Sequence, residues 1–168
     1  MFRDAGQMLS DNLLIKYIRE EGLFPESVGI SLWSIDAFKS DGEVFCQILH
    51  LMSMRPVWNS TDRVTSIEAI PLEELSLIMD EETFKPRPRI DVVIQTTGIL
   101  RDMVPHFADL VDEAVVLATR LDEPHELNFI RKHTLDQRIY RQNQHTYSGN
   151  RFRYDGNQTA ECRIRHDG

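Results

Sequence analysis

The spacing of apolar positions changes several times along the chain, and each change predicts an element. From about Ala5 to Glu21, the residues Leu9, Leu13, Leu14, Tyr17 and Ile18 recur at helical spacing, and Gly22 can end that helix. Pro25 marks a turn, and Val28 to Trp33 reads as a short strand. A polar loop follows from Ser34 to Gly42, and Asp41 is placed to cap a helix running from Glu43 to Met54. The apolar face of that helix is Val44, Phe45, Ile48, Leu49, Leu51 and Met52. Arg55 to Asn59 is extended, Val64 to Ile70 is a strand, and Pro71 opens a short helix. Ser76 to Pro86 is expected to be an acidic surface loop or a short extra helix. The run Ile90 to Thr96 is short, β-branched and not alternating, which is how a buried parallel strand reads. Phe107, Leu110, Val111, Ala114, Val115, Ala118 and Leu121 trace one face of a long helix, with Asp109, Asp112, Glu113 and Arg120 off it. Asp122-Glu-Pro124 breaks that helix, and a last one is expected from Glu126 to about His133 or beyond. The alternation of strand and helix predicts a layered α/β fold: a largely parallel sheet flanked by helices, Rossmann- or flavodoxin-like, with an irregular C-terminal tail.

Composition divides the chain near Arg138. Residues 138–168 hold six Arg, no Lys and three acids, a charge of +3 within a chain whose net charge is −8, so residues 1–137 carry −11. The same 31 residues contain no Leu, Val or Met and are rich in Arg, Asn, Gln, Tyr and Gly. Such a segment buries too little apolar surface to offset its ordering entropy. The expected organisation is therefore an α/β segment over 1–137 and a poorly ordered or divergent tail over 138–168. The acidic balance argues against a duplex-DNA partner. Cys46 and Cys162 lie too far apart for a metal or redox motif, no run approaches a membrane span, and the start lacks a signal-peptide stretch. A cytoplasmic protein is expected.

Two strand ends carry the candidate chemistry. After the first strand come Asp36, Lys39, Asp41, Gly42 and Glu43; after the Ile90 strand come Gly98, Arg101 and Asp102. Parallel strands place both loops on one edge of the sheet, where open α/β folds bind ligands. Such a set could hold an anionic ligand or assist proton transfer. Pattern alone favours ordinary loops, with Arg101 paired to Asp102 and Asp36 and Lys39 solvated. Arg131, Lys132 and His133 form another charged group, but consecutive helix residues point different ways, so all three cannot face one ligand. Cys46 and His50 could share a helix face, yet no further ligand has a zinc-site spacing. The chain has no Gly-x-x-x-x-Gly-Lys-Ser/Thr loop, no Gly-x-Gly-x-x-Gly and no Gly-x-Ser-x-Gly elbow.

Several strings, in order, resemble an internal part of the large subunit shared by cobaltochelatase and magnesium chelatase. Pro25-Glu-Ser-Val-Gly-Ile-Ser-Leu-Trp33 is similar to the strand leading into the family's Trp-Gly-Thr-Asp loop. Asp36, Lys39, Gly42 and Glu43 fit the Asp, Lys and Gly-Glu positions of that loop. Arg55-Pro56, Ile70-Pro-Leu-Glu-Glu-Leu75 and Arg87-Pro-Arg-Ile-Asp91 match further motifs. Gly98, Arg101 and Asp102 fit Ser-Gly-x-Phe-Arg-Asp, and Leu121-Asp-Glu-Pro124, Glu126, Asn128 and Arg131-Lys-His133 fit the segment after the long helix. The resemblance covers about residues 5–137. Ser34-Ile35 and Thr97 depart from the family's Gly-Thr and Ser, Ser76 to Pro86 looks inserted, and beyond Asn150 nothing matches.

The resemblance implies a tetrapyrrole substrate, cobalt or magnesium as the substrate metal, and partner ATPase subunits that use ATP and magnesium. It implies no cofactor held by this chain itself and no resident metal. Among the matching residues, Glu43, Asp36, Asp102 and His133 become candidate catalytic groups, taking pyrrole protons or passing the metal. Lys39, Gly98, Arg101 and Arg131 become candidate substrate-binding residues. Because the family's chain is several times longer, three arrangements are open: a truncated relative, a non-catalytic module binding a tetrapyrrole or a protein, and one part of a split large subunit.

Overall fold

A computed structural model describes residues 2–32, 42–61, 63–80, 83–96, 105–137 and 164–166. Helix α1 (Phe2–Glu21) leads to strand β1 (Ser27–Leu32). Helix α2 (Glu43–Leu51) is followed by β2 (Met54–Trp58), β3 (Val64–Ala69) and a 3-10 turn (Leu72–Glu74). Then come β4 (Ser76–Asp80), β5 (Thr83–Pro86), β6 (Asp91–Thr96) and helix α3 (Pro105–Arg120). Helix α4 spans residues 129–137, and β7 is Ile164–His166.

The fold is mixed α/β. One sheet has the order β1-β6-β7, with both pairings parallel. The other four strands form two antiparallel pairs, β2 with β3 and β4 with β5. The second pair corrects the expectation for Ser76 to Pro86: this stretch is a hairpin, neither loop nor helix. Its inner face buries Leu77, while Ile78 and Phe84 sit opposite each other and stay exposed. Strand β7 falls within the segment expected to be irregular, and 138–163 lies outside the described residues.

Val28, Ile30 and Leu32 on β1 stand in register with Val92, Ile94 and Thr96 on β6, and Val28, Ile30, Leu32, Val92 and Ile94 join the core. Leu110, Val111, Ala114 and Ala118 of α3 pack into the same core, on the face the spacing predicts. Helix α2 buries Cys46, Ile48, Leu49 and Leu51. Its N-cap is Gly42, at φ 86°, a backbone conformation that glycine adopts without cost. The expected cap at Asp41 therefore falls one residue early, and Asp41 itself lies outside the described residues.

Helix α1 differs from its expected face. The buried stripe is Gly6, Ser10, Leu14 and Ile18, whereas Leu9 and Tyr17 are exposed. Small residues let α1 cross α2 closely. The Ser10 hydroxyl donates to Gly6 O at 2.9 Å or Gln47 O at 3.1 Å, and a Cβ on Gly6 would lie 2.7 Å from the Cys46 Cβ. Gly22, at φ 77°, ends α1 as its position suggested.

Candidate functional site

The parallel sheet has a carboxyl edge and an amino edge. Strands β1 and β6 run the same way and finish in register, Leu32 opposite Thr96. The segments carrying Asp36 and Lys39, and Gly98, Arg101 and Asp102, therefore leave from adjacent strand ends, although these five residues lie outside the described residues. Glu43 is the first residue of α2, directly after the first of these segments, and is half-buried. Helix α2 runs back from there, because Ile90 N–H donates to Leu51 O at 3.0 Å beside the start of β6. The first turns of α2 and α3 meet through Phe45 and Phe107, whose ring centroids are 5.3 Å apart. Both loops thus feed helices that touch at the carboxyl edge of the sheet.

His133 sits at the opposite edge. Its Nδ1 lies 2.7 Å from Asp91 Oδ2, and its Nε2 lies 3.1 Å from Glu26 Oε2. Asp91 opens β6, Glu26 precedes β1, and Asp91 N–H donates to Glu26 O at 3.1 Å. Lys132 Nζ donates to both Glu26 oxygens, at 2.8 and 2.9 Å. The Lys132 ammonium, then the His133 ring, hold the Glu26 carboxyl below the usual carboxylate range. The Asp91 side chain is only 4% exposed, so a buried carboxylate steers a partly open imidazole. The length of a six-residue strand, roughly 17–20 Å, separates this cluster from Leu32 and Thr96.

Arg131 faces a third way. Its Nη1 donates to Leu121 O and, at 3.0 Å, to Asp122 Oδ1, tying α4 to the end of α3. Glu43, His133 and Arg131 are therefore not brought to one place: Glu43 belongs to the carboxyl edge, His133 to the amino edge, and Arg131 to the α3–α4 connection.

Other motif residues are structural. Arg89 is 1% exposed and makes a bidentate pair with Glu123, with Nε to Oε2 and Nη2 to Oε1 both 2.8 Å. It also donates to Ser53 O at 2.9 Å and Ile70 O at 2.8 Å. Asn128 donates through Nδ2 to Ala118 O and Glu123 Oε2, and accepts from Arg131 N–H as the N-cap of α4. Arg87 donates Nη2 to His50 O at 2.6 Å, and burial pulls its guanidinium down to about 10 against the upward pull of Asp11.

Sequence reasoning missed Asp91 and Glu26 as partners of His133. The available signal was Asp91 itself, an acid at the head of a buried β-branched strand, where a charge needs a partner. Among the described residues, no group of three or more His, Cys, Asp or Glu side chains is arranged to hold a metal, and no helix is long and apolar enough to cross a membrane.

Parallel β1 and β6 with flanking helices and two antiparallel pairs place the chain in the mixed α/β class. Comparison with known proteins then gives the family. The family model described as CobN/Magnesium Chelatase matches residues 3–164, further than the motif-by-motif resemblance reaches. An uncharacterized protein of Methanocaldococcus jannaschii is 39% identical over 130 residues, covering 77% of this chain and 10% of that protein. The chloroplastic magnesium-chelatase subunit ChlH of Oryza sativa subsp. japonica is 37% identical over 134 residues, covering 79% of this chain and 9% of that protein. The solved catalytic subunit of cobaltochelatase from Mycobacterium tuberculosis superposes with a TM-score of 0.73 at 34% identity, covering 83% of this chain and 11% of that one. The chain belongs to the CobN/magnesium chelatase family. It spans about a tenth of the length of the relatives it matches.

Proposed function

We propose that the chain supplies one wall of the tetrapyrrole site in the large subunit of an ATP-dependent metallochelatase, which inserts cobalt or magnesium during cobalamin-type or chlorophyll-type biosynthesis. The supporting observation is that β1 and β6 end side by side, so both family loops leave one edge. Metal insertion exchanges two pyrrole N–H protons for one divalent cation, so it needs bases near the ring. Asp36, Glu43 and Asp102 take those protons and hand over the metal. Lys39 and Arg101, with Gly98 allowing close approach, hold the ring's carboxylates. The energy comes from partner ATPase subunits, in keeping with the lack of a phosphate loop here. Chelation then needs the remaining walls of the subunit, and the complex works in the cytoplasm.

The second reading is a non-catalytic α/β module that binds a tetrapyrrole or a protein partner. Titrating the purified chain with a free-base porphyrin or corrin, and following its absorbance, tests ring binding. A saturating shift that is weakened by Arg101→Ala is expected; no spectral change contradicts ring binding. Mixing the chain with ATPase subunits, metal and ring tests the limit. No insertion is expected, and robust insertion without further large-subunit sequence contradicts the single-wall reading.

A further inference from the structure

The geometry points to a divalent-cation site at the amino edge of the sheet, formed by His133 Nε2 and the Glu26 carboxylate, with Asp91 as the positioning residue. The distances fit. A cation held about 2.0–2.2 Å from an imidazole nitrogen and a carboxylate oxygen keeps those two atoms roughly 3 Å apart. His133 Nε2 and Glu26 Oε2 are 3.1 Å apart. Asp91 Oδ2 lies 2.7 Å from Nδ1 and orients the ring so that Nε2 faces the Glu26 carboxylate, where a cation would displace any Nε2 proton. A carboxylate behind a ligating histidine also raises its basicity as a ligand. The Asp91 side chain is 4% exposed, while His133 and Glu26 are 22% and 48% exposed, so the orienting group is locked in and the two ligands face solvent.

Two protein ligands leave most coordination positions to water. That suits a cation held briefly and released, more than one kept as a structural ion. The competitor is Lys132, whose ammonium spans both Glu26 oxygens. Its Nζ also lies 5.6 Å from the Phe129 ring centroid, a second resting place once a cation takes Glu26. Where Nε2 carries a proton, the cation replaces it and the proton leaves to water. Imidazole with carboxylate favours a later first-row ion such as Co²⁺ over Mg²⁺, which prefers an all-oxygen shell. The strand length between this site and the loop edge makes it a holding station, apart from the place of insertion. Its role in holding the substrate metal rests on the chelatase reading; cation binding does not.

Calorimetric titration of the full chain with CoCl₂, and in parallel with MgCl₂, tests the site without tetrapyrrole or ATP. One equivalent of Co²⁺ is expected, with Mg²⁺ at least about tenfold weaker. His133→Gln and Glu26→Gln abolish that step, His125→Gln leaves it unchanged, and Lys132→Met tightens it. Asp91→Asn weakens it about 10- to 100-fold. Glu26→Gln alters an exposed residue, so far-UV circular dichroism showing a native fold keeps the comparison valid if Asp91→Asn fails to fold. Equal Co²⁺ isotherms for wild type and Glu26→Gln, or equal affinity for Co²⁺ and Mg²⁺, overturn the site. Such a failure leaves the porphyrin titration untouched, so the two readings fail separately.

Discussion

Arg87 and Arg89 stand two positions apart, are both buried, and should respond very unequally to mutation. Arg89 is matched by Glu123, which is only 12% exposed, so Arg89→Met leaves a nearly buried carboxylate without its counter-ion. That change should cost about 3–5 kcal/mol of stability in urea unfolding. Arg87 has one guanidinium nitrogen, Nη1, with no hydrogen-bond partner, and its acceptor His50 O also receives Ser53 N–H at 2.9 Å. Replacing it removes a buried charge without orphaning that carbonyl, so Arg87→Met should change stability by at most about 1 kcal/mol. Glu26 gives a pH test. Its folded-state carboxyl lies below the usual range, so its contribution is present above the unfolded value and fades as pH falls through the folded one. Glu26→Gln should therefore lower stability modestly at neutral pH and flatten the acid limb of a stability-against-pH curve below about pH 4.5, so that the two proteins converge in acid.

At the level of elements, the close crossing of α1 and α2 explains why helical spacing misplaced the buried face of α1. A spacing rule follows large apolar side chains, whereas this contact is made by Gly6 and Ser10. A methyl group on Gly6 would meet the Gln47 N and Glu43 O backbone atoms at 2.8 Å, and backbone cannot turn aside. Gly6→Ala should cost about 1–3 kcal/mol, read as a lower urea midpoint at constant slope. The β4–β5 hairpin was hidden for a related reason. One apolar residue in each strand faces outward, Ile78 and Phe84, so the alternation that marks a half-buried strand is blurred among acids. Strand β6 and helix α3 were legible because each carries its signal within one short stretch: a β-branched run for the strand, a wide apolar stripe for the helix.

Across the whole molecule, what the sequence conveyed depended on distance along the chain. The loop edge was readable because each loop adjoins its own strand, and only the parallel register had to be supplied. The amino-edge cluster was not readable, because Glu26 and His133 are 107 positions apart and meet only once β1, β6 and α4 are packed. Family membership then turns an ambiguous polar edge into a specific expectation: this segment, set among the other walls of a large subunit, should support metal insertion. The most direct test is a chimera in which residues 5–137 replace the matching segment of a full-length cobaltochelatase or magnesium chelatase large subunit. ATP-dependent metal insertion is then measured with the cognate ATPase subunits. The account predicts that the chimera inserts metal and that Arg101→Ala or Asp102→Asn within it lowers the rate at least about tenfold. A folded chimera that assembles with its ATPase partners yet inserts no metal, or one indifferent to both loop substitutions, would contradict it.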